Sequence, residues 1–423
     1  MNTLRLNSRG PEVELLQSTL KKLRFYNGAI DGIFGFRTFN SVQEFQRQFG
    51  LSVDGIVGNN TWNALMPYIN GNTSYTIKEN DTLFSLAQQY NTTVDAILYA
   101  NPNIDSEKLQ IGSNIIVPFG FIVPTDISYT SQILNLNISA LKTVYPFLET
   151  TTIGYSVLGK PLKVLKYGNG PKHIFYCAAT HANEWITSPL LMKFLENLSK
   201  SYVNNLNIFG VSARTLFENV SLYIMPMVNP DGVDLVTGFL DENSWGYYNA
   251  KKIASNFPEI PFPNGYKSNL EGIDINLQFP AGWEKAKEIK YAQGFNKPAP
   301  RDFVGYGPLT APEAVALYTF TLNHNFSIML TYHTQGRVIY YQYQNQTPPG
   351  SQDLANLFSE ISGYSIEQVP ESSSFAGFKD WFILYYNKPG FTIEAGLGEN
   401  PLPISQFAAI YRENLGILVS AML

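Results

Sequence analysis

The stretch from Phe175 to Trp185, FYCAATHANEW, limits what this chain can fold into more than any other. It opens as a short apolar run that predicts a buried strand, and the residues after Trp185 carry a helical pattern. His181 and Glu184 therefore fall where a strand hands over to a helix. Open α/β sheets gather their ligands at that place, outside the carboxyl ends of the strands. A ring nitrogen and a carboxylate at this spacing can face one ion, and zinc accepts both donor types.

Further ligands must come from other strand ends. Apolar runs at 162–165, 173–177, 220–227, 327–332 and 391–394 predict strands, and helical patterns at 187–200, 311–323 and 402–419 alternate with them. The fold class expected is α/β, a doubly wound mixed sheet covered by helices. The Gly- and Pro-rich residues 228–310 are expected to be loops that wall an active site. Among the histidines, His173 begins its strand and His324 lies late in a helix, whereas His333 directly follows a strand, as does Glu394. His181, Glu184 and His333 then supply three zinc ligands and leave a position for water, with Glu394 as the unliganded proton acceptor. On spacing alone a second account stays open, with both histidines as hydrogen-bonded structural groups and Glu184 as a helix cap.

A chain of 423 residues exceeds what one core usually supports, so more than one domain is expected. A net charge of −5 gives no reason to expect a nucleic-acid partner. Cys177, the only cysteine, excludes a disulfide framework and a Cys-rich metal site, and its place in a core strand predicts an inert thiol. The first residues, Met1 to Ser8, show neither an apolar stretch nor a small-residue cleavage site, so no secretory signal is expected. No run approaches the ~20 apolar residues of a membrane span.

Residues 1–69 hold an imperfect repeat: GAIDGIFG at 28–35 is echoed by LSVDGIVG at 51–58, with Thr38 and Thr61 following. Asp31-Gly32 and Asp54-Gly55 suit tight turns, and apolar stripes predict helices around them. After a polar linker, residues 75–119 predict two short strands enclosing two threonine-capped helices, with Asn101-Pro102 as a turn. The first segment resembles the peptidoglycan-binding three-helix domain and the second the βααβ lysin-motif domain. These resemblances imply glycan contact near Asp31, Gly32, Asp54, Gly55, Asn101 and Pro102.

Residues 124–423 resemble the zinc carboxypeptidase family, and in particular its γ-D-glutamyl-meso-diaminopimelate peptidase branch. The matching segments are THANEW at 180–185, NPDG at 229–232, GIDIN at 272–276, YHTQG at 332–336 and FTIE at 391–394. The resemblance implies one Zn2+ on His181, Glu184 and His333, with Glu394 as the catalytic carboxylate. It also implies a substrate wall including Asn276, Leu277, Gln278, Arg301 and Thr334. Typical exopeptidases of the family carry an arginine after the GxDxN asparagine to grip a terminal carboxylate. Leu277 stands there and cannot form that bidentate pair, which leaves two accounts of Arg301 open, a replacement cation as the resemblance implies or a salt bridge that anchors its loop. The family's carbonyl-polarising arginine has no clear match, which leaves Lys251, Lys252 and Lys267 open, and a loop phenol is expected to be lost near Phe375. The function implied is hydrolysis of the γ-D-glutamyl-diamino acid amide in peptidoglycan stem peptides. Its rivals are a conventional carboxypeptidase and a catalytically inactive wall-binding protein. Partners implied are glycan strands and stem peptides, and the locations expected are spore, wall or cytoplasm.

Overall fold

Each Asp-Gly turn of the N-terminal repeat is closed by a buried glutamine from the helix before it. In the computed structural model, which describes residues 1–423, helices α1 (Pro11–Lys22), α2 (Phe36–Gln48) and α3 (Asn59–Asn70) carry the repeat. Gln17 donates to Asp31 Oδ1 at 2.8 Å while its own oxygen accepts from the Asp31 and Gly32 N–H groups. Gln46 repeats the pattern with Asp54 Oδ1 at 2.8 Å and the Gly55 N–H at 2.9 Å. Gly32 and Gly55 sit at φ +67° and +71°, where a side chain would be strained. These residues shape the module, and Asp31 and Asp54 remain exposed beside the turns they close.

The lysin-motif segment pairs β1 (Asn72–Thr76) with β2 (Asn114–Pro118) antiparallel around α4 (Leu83–Gln89) and α5 (Val94–Ala100). Thr82 and Thr93 cap the helices by accepting from Ser85 N and Ala96 N, as the sequence predicts. Asn80 adopts the left-handed region at φ 68°. Asn101 brackets β2, donating to the Ile97 and Ile116 carbonyls and accepting from Ile116 N at 2.8 Å. Its neighbour Pro102 lines a shallow surface pocket with it.

The chain forms two compact units, residues 1–147 with 199–206 and residues 148–198 with 207–423. Helix α6 (Ser131–Val144) belongs to the first. The second begins with β3 (Glu149–Tyr155), β4 (Pro161–Tyr167), β5 (Lys172–Ala178) and α7 (Thr187–Val203) up to Leu198. A small hairpin of β6 (Asn207–Ile208) and β7 (Val211–Ser212) leads to α8 (Ala213–Asn219) and β8 (Val220–Met225). Then come α9 (Pro230–Val236), α10 (Trp245–Ala254), α11 (Trp283–Ala292), α12 (Pro312–Leu322), β9 (Ile328–His333) and β10 (Val338–Tyr340). The chain closes with α13 (Ser351–Ser362), β11 (Ser365–Ile366), α14 (Phe378–Tyr386), β12 (Gly390–Glu394) and α15 (Phe407–Ser420).

Eight strands form one mixed sheet in the order β11-β10-β12-β9-β5-β8-β4-β3. The four central strands β12, β9, β5 and β8 run parallel, and their apolar runs are buried on both faces, as such strands require. This is the expected helix-covered α/β sheet. One expectation is corrected: 228–310 is not a continuous loop but contains α9, α10 and α11. Two of them have side-chain caps, since Asn229 caps α9 through Gly232 N and Ser244 caps α10 through Tyr247 N.

Candidate active site

Parallel pairing brings the strand ends together. Glu394 and His333 are register partners on β12 and β9, and His181 lies three residues beyond the end of β5, the other neighbour of β9. A short 3-10 turn at Ala182–Glu184 brings Glu184 round to the same point. His181 Nδ1 lies 3.0 Å from Glu184 Oε1, His333 Nδ1 lies 2.8 Å from Glu184 Oε2, and the two Nδ1 atoms are 3.2 Å apart. Two nitrogens held tetrahedrally at zinc–nitrogen distances of ~2.0–2.1 Å stand roughly 3.3 Å apart, so the donor set fits that ion. The outer ring nitrogens are fixed as well: His181 Nε2 contacts Asp274 Oδ1 and His333 Nε2 contacts Thr331 Oγ1, both at 3.2 Å. Such partners set ring orientation and tautomer at a metal centre.

The electrostatics agree with this assignment. Burial alone would push His181 down, but the carboxylates of Glu184 and Asp274 outweigh it and hold the ring up at about 9. Burial likewise works against the Glu184 charge, yet His181, Lys267 and His333 keep it well below the usual carboxylate range. A site so rich in anionic field favours a cation, and a divalent ion held here would take the place of the proton on His181. Glu394 behaves oppositely: burial raises it above the ordinary value, His333 opposing. A carboxyl so tuned is suited to taking up and releasing a proton.

A cavity of about 290 Å³ opens on this cluster. Of the residues expected to form a substrate wall, Asn276, Leu277 and Arg301 line it. Asn276 Oδ1 accepts from Phe378 N at 3.2 Å at the start of α14, which turns its amide nitrogen to other uses. Arg301 is tied through Nε to Asp302 at 2.6 Å and is 44% exposed on its side chain. Two expectations are corrected. Gln278 is wholly buried and spends its amide on Val304, Gly307, Thr310 and Ala311, bracing the wall from behind. Thr334 is locked in a mutual pair with Asn400, its hydroxyl donating to Asn400 Oδ1 at 2.7 Å, and does not line the cavity.

Other residues emerge only from the fold. Of the three lysines left open, Lys267 reaches the site, 2.8 Å from Glu184 Oε1; Lys251 and Lys252 remain on α10. The Asn-Pro-Asp-Gly segment explains its placement, since Asn229 Nδ2 donates to the Ser268 carbonyl at 3.0 Å and the Lys267 carbonyl accepts from Ala182 N. Asp274, quoted within a motif but given no role, orients His181 and accepts from Asp302 N. Tyr340 lines the cavity from β10, where it pairs with Thr392.

Comparison with known proteins bears on the same site. Residues 135–415 match the family model described as zinc carboxypeptidase. The chain belongs to the zinc carboxypeptidase family. His181, Glu184 and His333 form the zinc-binding triad of such a peptidase, one ion per domain. Residues 9–65 match a putative peptidoglycan binding domain and residues 75–118 a LysM domain. The chain is 44% identical over 295 residues to gamma-D-glutamyl-L-diamino acid endopeptidase 1 of Lysinibacillus sphaericus, covering 70% of this chain and 72% of that one. It is 38% identical over 296 residues to the uncharacterized protein YqgT of Bacillus subtilis, covering 70% and 77%. Among solved structures, carboxypeptidase A from Helicoverpa armigera shares the fold, with a TM-score of 0.54 at 15% identity, covering 97% of this chain and 93% of that one. No helix is long and apolar enough to cross a membrane.

Proposed function

We propose that this zinc carboxypeptidase-family chain hydrolyses the amide between the γ-carboxyl of D-glutamate and diaminopimelate in peptidoglycan stem peptides. One observation carries the reading: the His–Glu–His site lies in a chain 44% identical to a protein named for γ-D-glutamyl-L-diamino acid cleavage. Leu277 supports it, because an apolar side chain on the cavity wall leaves ordinary C-terminal carboxylates without their usual grip. The domains proposed are a peptidoglycan-binding domain at 1–69, a lysin-motif domain at 75–119 and the peptidase at 124–423. Two glycan-directed modules raise the effective concentration of wall substrate at the peptidase. The place of work proposed is the wall or spore, which fractionation with a specific antibody tests.

His181, Glu184 and His333 would hold the ion, and zinc when bound supplies a Lewis acid that polarises the scissile carbonyl and acidifies water. Glu394 takes a proton from the attacking water, whose oxygen bonds to the γ-carbonyl carbon of D-glutamate. Lys267, beside Glu184, places positive charge where the carbonyl oxygen becomes anionic. As the carbon–nitrogen bond breaks, Glu394 returns the proton to the leaving amine. Asp274 keeps His181 in the orientation the triad requires. The test is a choice of substrates: L-alanyl-γ-D-glutamyl-diaminopimelate should be cut while a hippuryl-type peptide is spared. The reverse preference would establish a conventional carboxypeptidase.

A further inference from the structure

Lys290 is a buried cation that the chemistry above does not use. It lies in the last turn of α11, on the face that also buries Trp283 and Ala286, whereas Lys285 of the same helix reaches solvent. At 6% exposure a lysine is costly unless its charge is met, and its ammonium meets Asp302 Oδ1 at 2.6 Å. Arg301 Nε takes the other oxygen of that carboxylate at the same distance, but from a side chain 44% exposed, where solvent screens the pair. The buried lysine is the firmer of the two holds on Asp302.

The backbone of Asp302 gives that hold a meaning. Its φ is 64°, in the left-handed region that an L side chain enters only at a cost. In this conformation its N–H donates to Asp274 Oδ2 at 3.1 Å, and the other oxygen, Asp274 Oδ1, lies 3.2 Å from His181 Nε2. The residues on either side are fixed by their own main chain. The Pro300 carbonyl accepts from Lys267 N at 2.7 Å and Ser268 N at 2.9 Å, and the Phe303 carbonyl accepts from Asp274 N at 2.9 Å. What these bonds leave undecided is the orientation of the Asp302 N–H itself. A strained residue keeps its conformation only where the surroundings impose it, and the contact with Lys290 does so. A metal-binding imidazole in turn depends on the partner of its outer nitrogen, so a loosened Asp302 is felt at the ion.

We propose that Lys290 is a positioning residue of the zinc site: by holding Asp302 left-handed it aims the Asp302 N–H at Asp274, and through Asp274 it fixes the His181 ring for the ion. The inference concerns the metal centre alone and stands whichever amide the enzyme cuts.

The quantity to measure is the zinc affinity of the full chain, read by competition with a chelator of known affinity. Lys290→Met should weaken it roughly 10-fold, the lower end of what the outer partners of a metal ligand are worth. Lys290→Arg, which keeps the charge, should restore most of that loss. A double-mutant cycle separates positioning from packing. In an Asp274→Ala background, where the chain of contacts to His181 is already cut, Lys290→Met should cost no further affinity. Unchanged zinc affinity in Lys290→Met overturns the proposal, and so does an equal further loss in the Asp274→Ala background. Should Lys290→Met fail to fold, Asp302→Asn takes its place, since asparagine tolerates the left-handed backbone but lacks the charge that Lys290 holds. The same weakening is expected there, and full affinity overturns the proposal.

Discussion

Two imidazole nitrogens 3.2 Å apart, each 3.0 Å or less from one carboxylate, form a donor set that a cation completes. His181→Ala or His333→Ala should therefore release the zinc, and elemental analysis of the purified variants reads this directly; full retention by both would reject the ligand assignment. Asp274→Asn keeps the shape but weakens the contact to His181 Nε2, so zinc affinity should fall roughly 10- to 100-fold in a chelator titration. At this scale the ligands were legible because each stands at the end of an apolar run, and parallel strands bring such ends together. Lys267, Asp274, Lys290 and Tyr340 were not legible as a group. Their placement depends on contacts such as Asn229 to Ser268 and Tyr340 opposite Thr392, which no local pattern announces.

Among the elements, α12 carries a buried acid far in sequence from the triad. Glu313 is fully buried, accepting from Asn269 Nδ2 at 3.0 Å and Val157 N at 3.2 Å. Burial raises it from 4.5 to about 7, the two hydrogen bonds only partly opposing. The folded chain thus holds a proton there that the unfolded chain has lost, so this group makes stability fall as pH rises from 4.5 to about 7 and level off above. The loss is on the order of 3 kcal/mol. Glu313→Gln should flatten that part of the profile in denaturant titrations at stepped pH, and an unchanged slope would contradict the account. The central strands and long helices were legible from apolar periodicity. The helices within 228–310 were hidden because flanking Gly and Pro residues mask short segments, and the Thr-rich edge strand β3 lacks an apolar run.

For the whole molecule, a peptidase with two peptidoglycan-directed modules should treat polymer and fragment differently. An N-acetylglucosamine oligomer added in excess should slow digestion of purified sacculi by removing the gain from linked binding, while leaving hydrolysis of a soluble tripeptide untouched. Equal inhibition of both, or of neither, would separate the modules from the reaction. The module order was legible because repeats and turn residues mark it, whereas the glutamines that close each turn became visible only in three dimensions. The most direct test of the central claim is mass analysis of a defined diaminopimelate muropeptide after incubation with zinc-loaded wild type and Glu394→Gln. The account predicts a single cut between γ-D-glutamate and diaminopimelate, slowed roughly 10²- to 10⁴-fold in the variant while its zinc remains. No such cut by zinc-bound wild type, or an undiminished one in the variant, would contradict it.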